Sequence, residues 1–64
     1  MEQFQERVVI EKHELDVKVD RLKGFVASTK FVTIPISEQK RMSKQLSIMQ
    51  DYSAVLGERI SAFN

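Results

Sequence analysis

Two cationic residues, Lys18 and Arg59, fall at positions of this chain where a seam between helices should be apolar. An unpaired charge is costly to desolvate, so each cation needs a partner or a ligand there. Two explanations remain open. Lys18 pairs with Glu14 one helical turn away while Arg59 extends into solvent, or the two cations line a junction between subunits and bind an anion.

Residues suited to catalysis are sparse. His13, the sole histidine, stands in the segment EKHEL without the second histidine of a zinc-protease helix. Glu11 and Glu14 are three residues apart, but lysines flank them, and an acid–base pair of carboxylates also needs a cleft. The two glycines are isolated, so no phosphate-binding loop is present. We therefore expect neither enzymatic activity nor a cofactor.

Composition restricts the class of protein further. The chain has 64 residues and no cysteine, so no disulfide or thiolate metal site can stabilise its small core. Ten Lys and Arg balance nine Asp and Glu, which makes duplex DNA or RNA an unexpected partner. No apolar run approaches the roughly 20 residues of a membrane helix, and no signal peptide is recognisable. A soluble intracellular protein is expected.

The spacing of apolar residues predicts an all-α protein, an antiparallel two-helix hairpin that assembles into a homo-oligomeric helical bundle. A single domain should span residues 1–64, with helix one over about 2–27, a connector over about 28–36 and helix two over about 37–62. The segment LDVKV alternates like a strand, but the helical pattern continues on both sides of it. Ser37 is the expected N-cap of helix two. Pro35 favours an extended connector, whose apolar residues should pack on Phe25 and Met42.

The seam should hold one apolar stripe from each helix. The expected members are Phe4, Val8, Leu15, Leu22 and Phe25 of helix one, and Met42, Leu46, Met49, Tyr52, Leu56, Ile60 and Phe63 of helix two. Paired residues have numbers that sum to about 64, as in Val8 with Leu56. Outside this seam remain Val9, Val17, Val19, Val26, Ile48 and Val55. A hairpin has no second place to bury them, which predicts contact with another copy or a partner.

Gly57 costs about 1 kcal/mol relative to alanine inside a helix. Close approach of a neighbouring helix or access of a ligand to the backbone would explain it. Phe4 and Arg59 should meet at the open end of the hairpin. Lys18 lies fourteen residues after Phe4, roughly 21 Å along the helix. One protomer therefore cannot bring all three residues to a small ligand, although two protomers side by side can.

Three segments together resemble a known family: E-R-V-V-x-E-K-x-E-L-D-x-K, then E-Q, then M-x-x-Y-S-x-x-L-x-x-R-I. The combination is similar to the helical hairpin of small phage proteins that act as anti-CBASS and anti-Thoeris sponges. The resemblance covers nearly the whole chain. It implies a homo-oligomer, with a hexamer expected, that sequesters cyclic nucleotide messengers of bacterial immunity in the host cytoplasm without cleaving them. The implied ligands are cyclic dinucleotides, cyclic trinucleotides or cyclic ADP-ribose derivatives.

The resemblance also implies ligand-binding residues. An aromatic residue near the N-terminus stacks on a base, and a lysine of helix one and an arginine late in helix two hold phosphates or bases across a protomer boundary. The matching positions are Phe4, Lys18 and Arg59, with phenylalanine where the family often has tyrosine. The alternative function is a small oligomeric scaffold or interaction protein without a nucleotide ligand. A nucleic-acid-binding accessory protein is disfavoured by the balanced charge.

Overall fold

Two long helices form an antiparallel hairpin in the computed structural model, which describes residues 1–63. Helix α1 spans Gln3–Val26 and helix α2 spans Ile36–Ser61, with a short 3-10 turn over Phe31–Thr33 between them. The predicted all-helical hairpin is thereby confirmed. The hairpin is a narrow rod, 46 × 14 × 13 Å, with the thickness of two helices. The last residue of the predicted domain, Asn64, lies outside the described residues.

The connector is the first point where the prediction was wrong. Instead of an extended segment, Phe31–Thr33 forms a 3-10 turn, and the Phe31 ring meets Phe25 edge to face with 6.2 Å between centroids. Helix α2 begins at Ile36, because the Pro35 carbonyl accepts from the backbone N–H groups of residues 38 and 39. Ser37, the expected N-cap, therefore lies inside the first turn of α2.

The seam between the helices follows one heptad pattern on each helix. Its buried and half-buried members are Gln5, Val8, Lys12, Leu15, Val19, Leu22 and Val26 of α1, Gln39, Met42, Leu46, Met49, Ser53, Leu56 and Ile60 of α2, and Phe63 just beyond α2. The predicted pairs that Val8, Leu15 and Leu22 make with α2 residues are all buried or half-buried on both sides. Leu56, with 1% of its surface exposed, is the most deeply buried large side chain among them.

Four positions assigned to the seam were wrong by one residue. Phe4, Lys18, Tyr52 and Arg59 are exposed, whereas Val19 and Ser53 are buried. A helix that buries Val8, Leu15 and Leu22 can fill the intervening positions with residues 11 and 18 or with residues 12 and 19. The second choice buries Val19 in place of the Lys18 charge, which is the cheaper solution. Lys18 and Arg59 are therefore not seam residues, and neither is Tyr52.

Large apolar side chains also remain outside the seam. Ile10 and Val17 of α1 are 56% and 37% exposed, and Ile48 and Val55 of α2 are 56% and 50% exposed. Val9 and Val17 lie on the second apolar face that the sequence predicts, whereas Val19 and Val26 lie in the seam. Among the described residues, neither helix is long and apolar enough to cross a membrane.

Candidate functional site

One side of the hairpin carries all three residues that the sequence singles out for binding. On each helix, one row of residues comes immediately before every second seam residue in the sequence, and the rows of the two helices face each other. These facing rows, which we call the tyrosine flank, consist of Phe4, Glu11, Lys18 and Phe25 of α1 and Glu38, Gln45, Tyr52 and Arg59 of α2. Facing members have numbers that sum to 63, so Phe4 lies across from Arg59 and Lys18 across from Gln45. Successive levels are about 10.5 Å apart along the helix.

A hydrogen bond across the seam fixes the register of the tyrosine flank. The Tyr52 hydroxyl donates to the Glu11 carboxylate, although both residues are exposed. This hydrogen bond, with a smaller contribution from desolvation, raises the pKa of Tyr52 above its ordinary value of 10.0. The positive charge of Arg59, two turns along α2, acts in the opposite direction.

Phe4 stands at the open end of the tyrosine flank. Its side chain is 57% exposed, and its ring meets Phe63 edge to face with 6.2 Å between centroids. The contact with Phe63 holds the ring against the end of α2. The exposed surface of the ring is available to a flat aromatic ligand.

Lys18 stands two levels further along and borders an open groove of about 480 Å³. The groove runs beside the seam and is lined by Lys18, Arg21, Leu22, Phe25, Met42, Gln45 and Met49. Arg21 adds a second cation beside Lys18, which sequence reasoning missed. The i,i+3 spacing of the two cations on one helix was the available signal.

The cations of the tyrosine flank, Lys18 and Arg59, form no ion pair within the described residues. Among residues 1–63, the ion pairs are Lys12 with Asp16 and Arg41 with Glu38. The expected pair of Lys18 with Glu14 does not form. Phe4 and Arg59 share one end of the flank, whereas Lys18 lies roughly 21 Å from Phe4 along α1. A single chain thus places the three candidate residues on one flank without bringing them to one point.

A polar cluster that sequence reasoning missed, the serine network, joins the seam residues Lys12 and Ser53 to Asp16 on the opposite flank. The Lys12 Nζ donates to Asp16 Oδ2 at 3.1 Å and to Ser53 Oγ at 2.7 Å. The Ser53 hydroxyl, 8% exposed, donates in turn to Asp16 Oδ1. The Ser53 hydrogen bond, followed by that of Lys12, lowers the pKa of Asp16 below its usual 3.8. The i,i+4 spacing of Lys12 and Asp16 could have predicted their ion pair. Nothing in the sequence predicts the hydrogen bonds that both residues form with Ser53.

Gly57 belongs to the side of the serine network and not to that of Arg59. A Cβ added at Gly57 would lie 3.5 Å from the Lys12 Cε and 4.0 Å from its Nζ. The lysine side chain therefore passes directly beside this glycine. An ordinary van der Waals contact at 3.5 Å would accommodate alanine, so close approach of Lys12 does not by itself demand glycine.

Metal chemistry finds no site in the described part of the chain. No group of three or more His, Asp or Glu side chains within residues 1–63 is placed to hold a metal ion. The tyrosine flank offers an aromatic surface, cations and hydrogen-bonding side chains in a row.

Comparison with known proteins gives two matches and no structural one. The model of a protein family described as Sequestin matches residues 2–62. The chain is also 35% identical over 60 residues to an uncharacterized 7.5 kDa protein in the denB–rIIB intergenic region of Enterobacteria phage T4, and the alignment covers 94% of both chains. No solved structure matches the chain significantly.

Proposed function

The chain belongs to the Sequestin family of phage cyclic-nucleotide sponges, and on that premise we propose that it sequesters cyclic oligonucleotide messengers of host immunity without cleaving them. Cyclic dinucleotides are the primary candidates, followed by cyclic trinucleotides and cyclic ADP-ribose derivatives. The proposed place of action is the cytoplasm of the host bacterium.

The observation that carries this proposal is the composition of the tyrosine flank. A cyclic dinucleotide has two phosphates and two flat bases. Lys18 and Arg59 are exposed cations without an ion pair among the described residues. We propose that they neutralise the phosphates, with Arg59 able to form two parallel hydrogen bonds. The exposed ring of Phe4 would stack on a base, a contact that contributes roughly 1–3 kcal/mol.

Two copies of the chain are needed to complete this site. Phe4 and Lys18 lie one level above and one level below Glu11, and Arg59 and Gln45 lie likewise around Tyr52. Two tyrosine flanks that meet face to face in antiparallel orientation would thus place the partner subunit's Lys18 near Phe4 and Arg59. The equal spacing of seven residues makes both ends of such a pair equivalent. This arrangement would form two composite sites around a twofold axis.

Self-association is proposed on separate grounds. The core buried within one hairpin is small, since three apolar residues among those described fall below 10% exposure. A stable chain of this size normally gains further burial by oligomerisation. Ile10 and Val17 of α1 and Ile48 and Val55 of α2 supply further apolar surface outside the seam. A hexamer, as the family resemblance implies, would use both faces.

Substitution of Val17 by aspartate tests the assembly. The change puts a charge into the proposed interface, so the native mass should fall toward that of a dimer or monomer while the helical circular dichroism persists. Ser47→Asp, which adds the same single negative charge at an exposed position of α2, is the control. An unchanged mass for a folded Val17→Asp variant would refute self-association through this face.

Titration calorimetry tests the proposed function itself. Cyclic di- and trinucleotides and cyclic ADP-ribose isomers would be titrated into the protein, and bound ligand would be released by heat and analysed by mass spectrometry. We expect submicromolar binding of at least one messenger and recovery of intact ligand. Arg59→Ala should abolish this binding without changing the native mass. A folded oligomer that binds nothing in the panel, or that releases cleaved product, would contradict the proposal.

The exposed apolar face favours one alternative, a scaffold that docks a protein partner and binds no nucleotide. Ile48 and Val55, seven residues apart, form the core of this face on α2. The scaffold alternative predicts silence across the nucleotide panel and loss of partner binding on substitution of Ile48 by aspartate. The two functions therefore differ in which residues are sensitive to substitution: Lys18 and Arg59 for the sponge, Ile48 and Val55 for the scaffold.

A further inference from the structure

Glu11 is out of place on a flank that binds phosphate. Its carboxylate lies at the middle level of the tyrosine flank, between the level of Phe4 and Arg59 and that of Lys18. It is exposed and forms no ion pair among the described residues. A negative charge there opposes phosphate binding in its neighbourhood. The carboxylate must therefore contribute to something other than charge neutralisation if the flank is a nucleotide site.

The geometry of Glu11 is also constrained. The Tyr52 hydroxyl, which comes from the other helix, donates to its Oε2. This contact orients the carboxylate across the seam and leaves Oε1 without a protein donor among the hydrogen bonds of residues 1–63. Each carboxylate oxygen can accept more than one hydrogen bond. The pair thus presents two oxygens that can accept further N–H groups from a ligand.

We propose that Glu11, positioned by Tyr52, reads the base of the messenger and selects guanine. This inference rests on the proposed function, because it assigns the specificity of the same site. The Watson–Crick edge of guanine carries two adjacent donors, N1–H and the N2 amine, which match the two oxygens of one carboxylate. Adenine presents an acceptor at N1, and uracil flanks its single N–H with two carbonyls. Either base would leave a carboxylate oxygen facing an acceptor.

The nearby residues are consistent with this assignment. Phe4 is one level away, about 10.5 Å along α1, so a base stacked on the ring of one subunit can extend toward a carboxylate while its phosphate reaches Arg59 or Lys18. Gln45, across from Lys18, adds an amide that can contact the sugar or a second base. In this arrangement the cations of the tyrosine flank bind the phosphates and the Glu11 carboxylate binds the bases.

The test uses the full chain and four ligands that share one backbone: cyclic di-GMP, cyclic GMP–AMP, cyclic di-AMP and cyclic di-IMP. Dissociation constants should increase in the order cyclic di-GMP, cyclic GMP–AMP, cyclic di-AMP, with about a tenfold to hundredfold loss for each guanine replaced. Hypoxanthine keeps N1–H and lacks the N2 amine. Cyclic di-IMP should therefore bind more weakly than cyclic di-GMP and more tightly than cyclic di-AMP.

Glu11→Gln provides the decisive variant, because an amide offers one acceptor and one donor. We expect this variant to lose most of the preference for guanine and to gain affinity for cyclic di-AMP. Glu14→Gln, an equal change on an exposed residue of the same helix, should leave all four constants unchanged. Lys18→Ala should weaken all four ligands by a similar factor and preserve their order.

The outcomes separate the two proposals. If all four ligands bind equally and Glu11→Gln leaves their ratios unchanged, the base-reading role of Glu11 is wrong and the sponge function stands. If a folded protein binds none of them or any other cyclic nucleotide, the proposed function fails and the inference fails with it. A preference for guanine that Glu11→Gln does not alter would also overturn the role of this residue.

Discussion

The two sides of the hairpin carry similar polar residues, but these residues have different partners. On one side, Lys12, Asp16 and Ser53 form a closed hydrogen-bonded network around a buried hydroxyl. On the other side, Lys18 and Arg59 remain exposed, and the one cross-helix contact joins Tyr52 to Glu11. The charge of Lys12 is neutralised within the protein, whereas that of Lys18 remains available to a ligand. Whether a lysine of this hairpin can bind a ligand thus depends on the hydrogen bonds and ion pairs that it already forms within the protein.

Replacing matched lysines on the two flanks should give the largest difference. Lys18→Ala is expected to weaken messenger binding by roughly tenfold to a hundredfold, because a charge-assisted hydrogen bond contributes about 1.5–3 kcal/mol. Lys23→Ala, an exposed lysine of the same helix at a position next to the opposite side of the seam, should leave binding unchanged. Calorimetry on both variants measures the contrast. Equal losses for the two lysines would mean that the tyrosine flank is not the binding surface.

Sequence analysis predicted the hairpin and most of the seam, and the reason for the four misassigned positions is instructive. Val8, Leu15 and Leu22 satisfy either of two adjacent heptad registers, so the apolar pattern alone does not choose between Lys18 and Val19 at the next position. The choice depends on whether Lys12 can be half-buried at low cost. Ser53 and Asp16 make this possible, and that three-way contact joins residues 37 and 41 positions apart. Periodicity within one helix carries no information about it.

The candidate site also shows what the periodicity of a single helix cannot predict. Phe4, Lys18 and Arg59 were singled out as binding residues while Lys18 and Arg59 were placed in the seam. Their exposure in the structure removes the desolvation cost that made their positions puzzling. The packing of the two helices also places Glu11 and Tyr52 in the same row as these residues, which the pattern of a single helix does not reveal. Whether the three residues bind a ligand remains a prediction.

Removing the central hydroxyl of the serine network should affect stability and not binding. Ser53→Ala leaves Lys12 and Asp16 without their shared partner, at a net cost of about 1 kcal/mol for the lost hydrogen bond. For a domain of this size that cost lowers the thermal midpoint by roughly 4–8 °C. Melting must be compared at one protein concentration, since assembly shifts the midpoint. A midpoint equal to that of the unaltered protein would show that the network contributes little.

Acid should unfold the protein partly through Asp16. Its pKa is lowered in the folded state, so its contribution to stability is fully present above the unfolded value of 3.8 and is lost as pH falls through the lower folded value. In Asp16→Asn, the free energy of unfolding should decrease less between pH 4 and pH 2 than it does in the unaltered protein. Chemical denaturation at several pH values measures this difference. Parallel curves for the two proteins would contradict the account.

The smallest expected effect concerns Tyr52, the sole tyrosine of a chain without tryptophan. Its hydrogen bond to Glu11 raises its pKa above 10.0, so that contact stabilises the fold below pH 10.0 and is lost as pH rises through the folded value. Ultraviolet titration of the phenolate band should give a midpoint above 10.0, and Glu11→Gln should move it downward. The same midpoint in both proteins would mean that the cross-helix hydrogen bond does not form in solution.

The most direct test of the account is to observe which flank the ligand touches. Nuclear Overhauser contacts would be recorded between the base and ribose protons of cyclic di-GMP and the side chains of the full-length protein. We predict contacts to the rings of Phe4 and Tyr52 and to the side-chain protons of Lys18 and Arg59. Contacts confined to Gly57 and the serine network, or to Ile48 and Val55, would contradict the assignment of the tyrosine flank as the binding site.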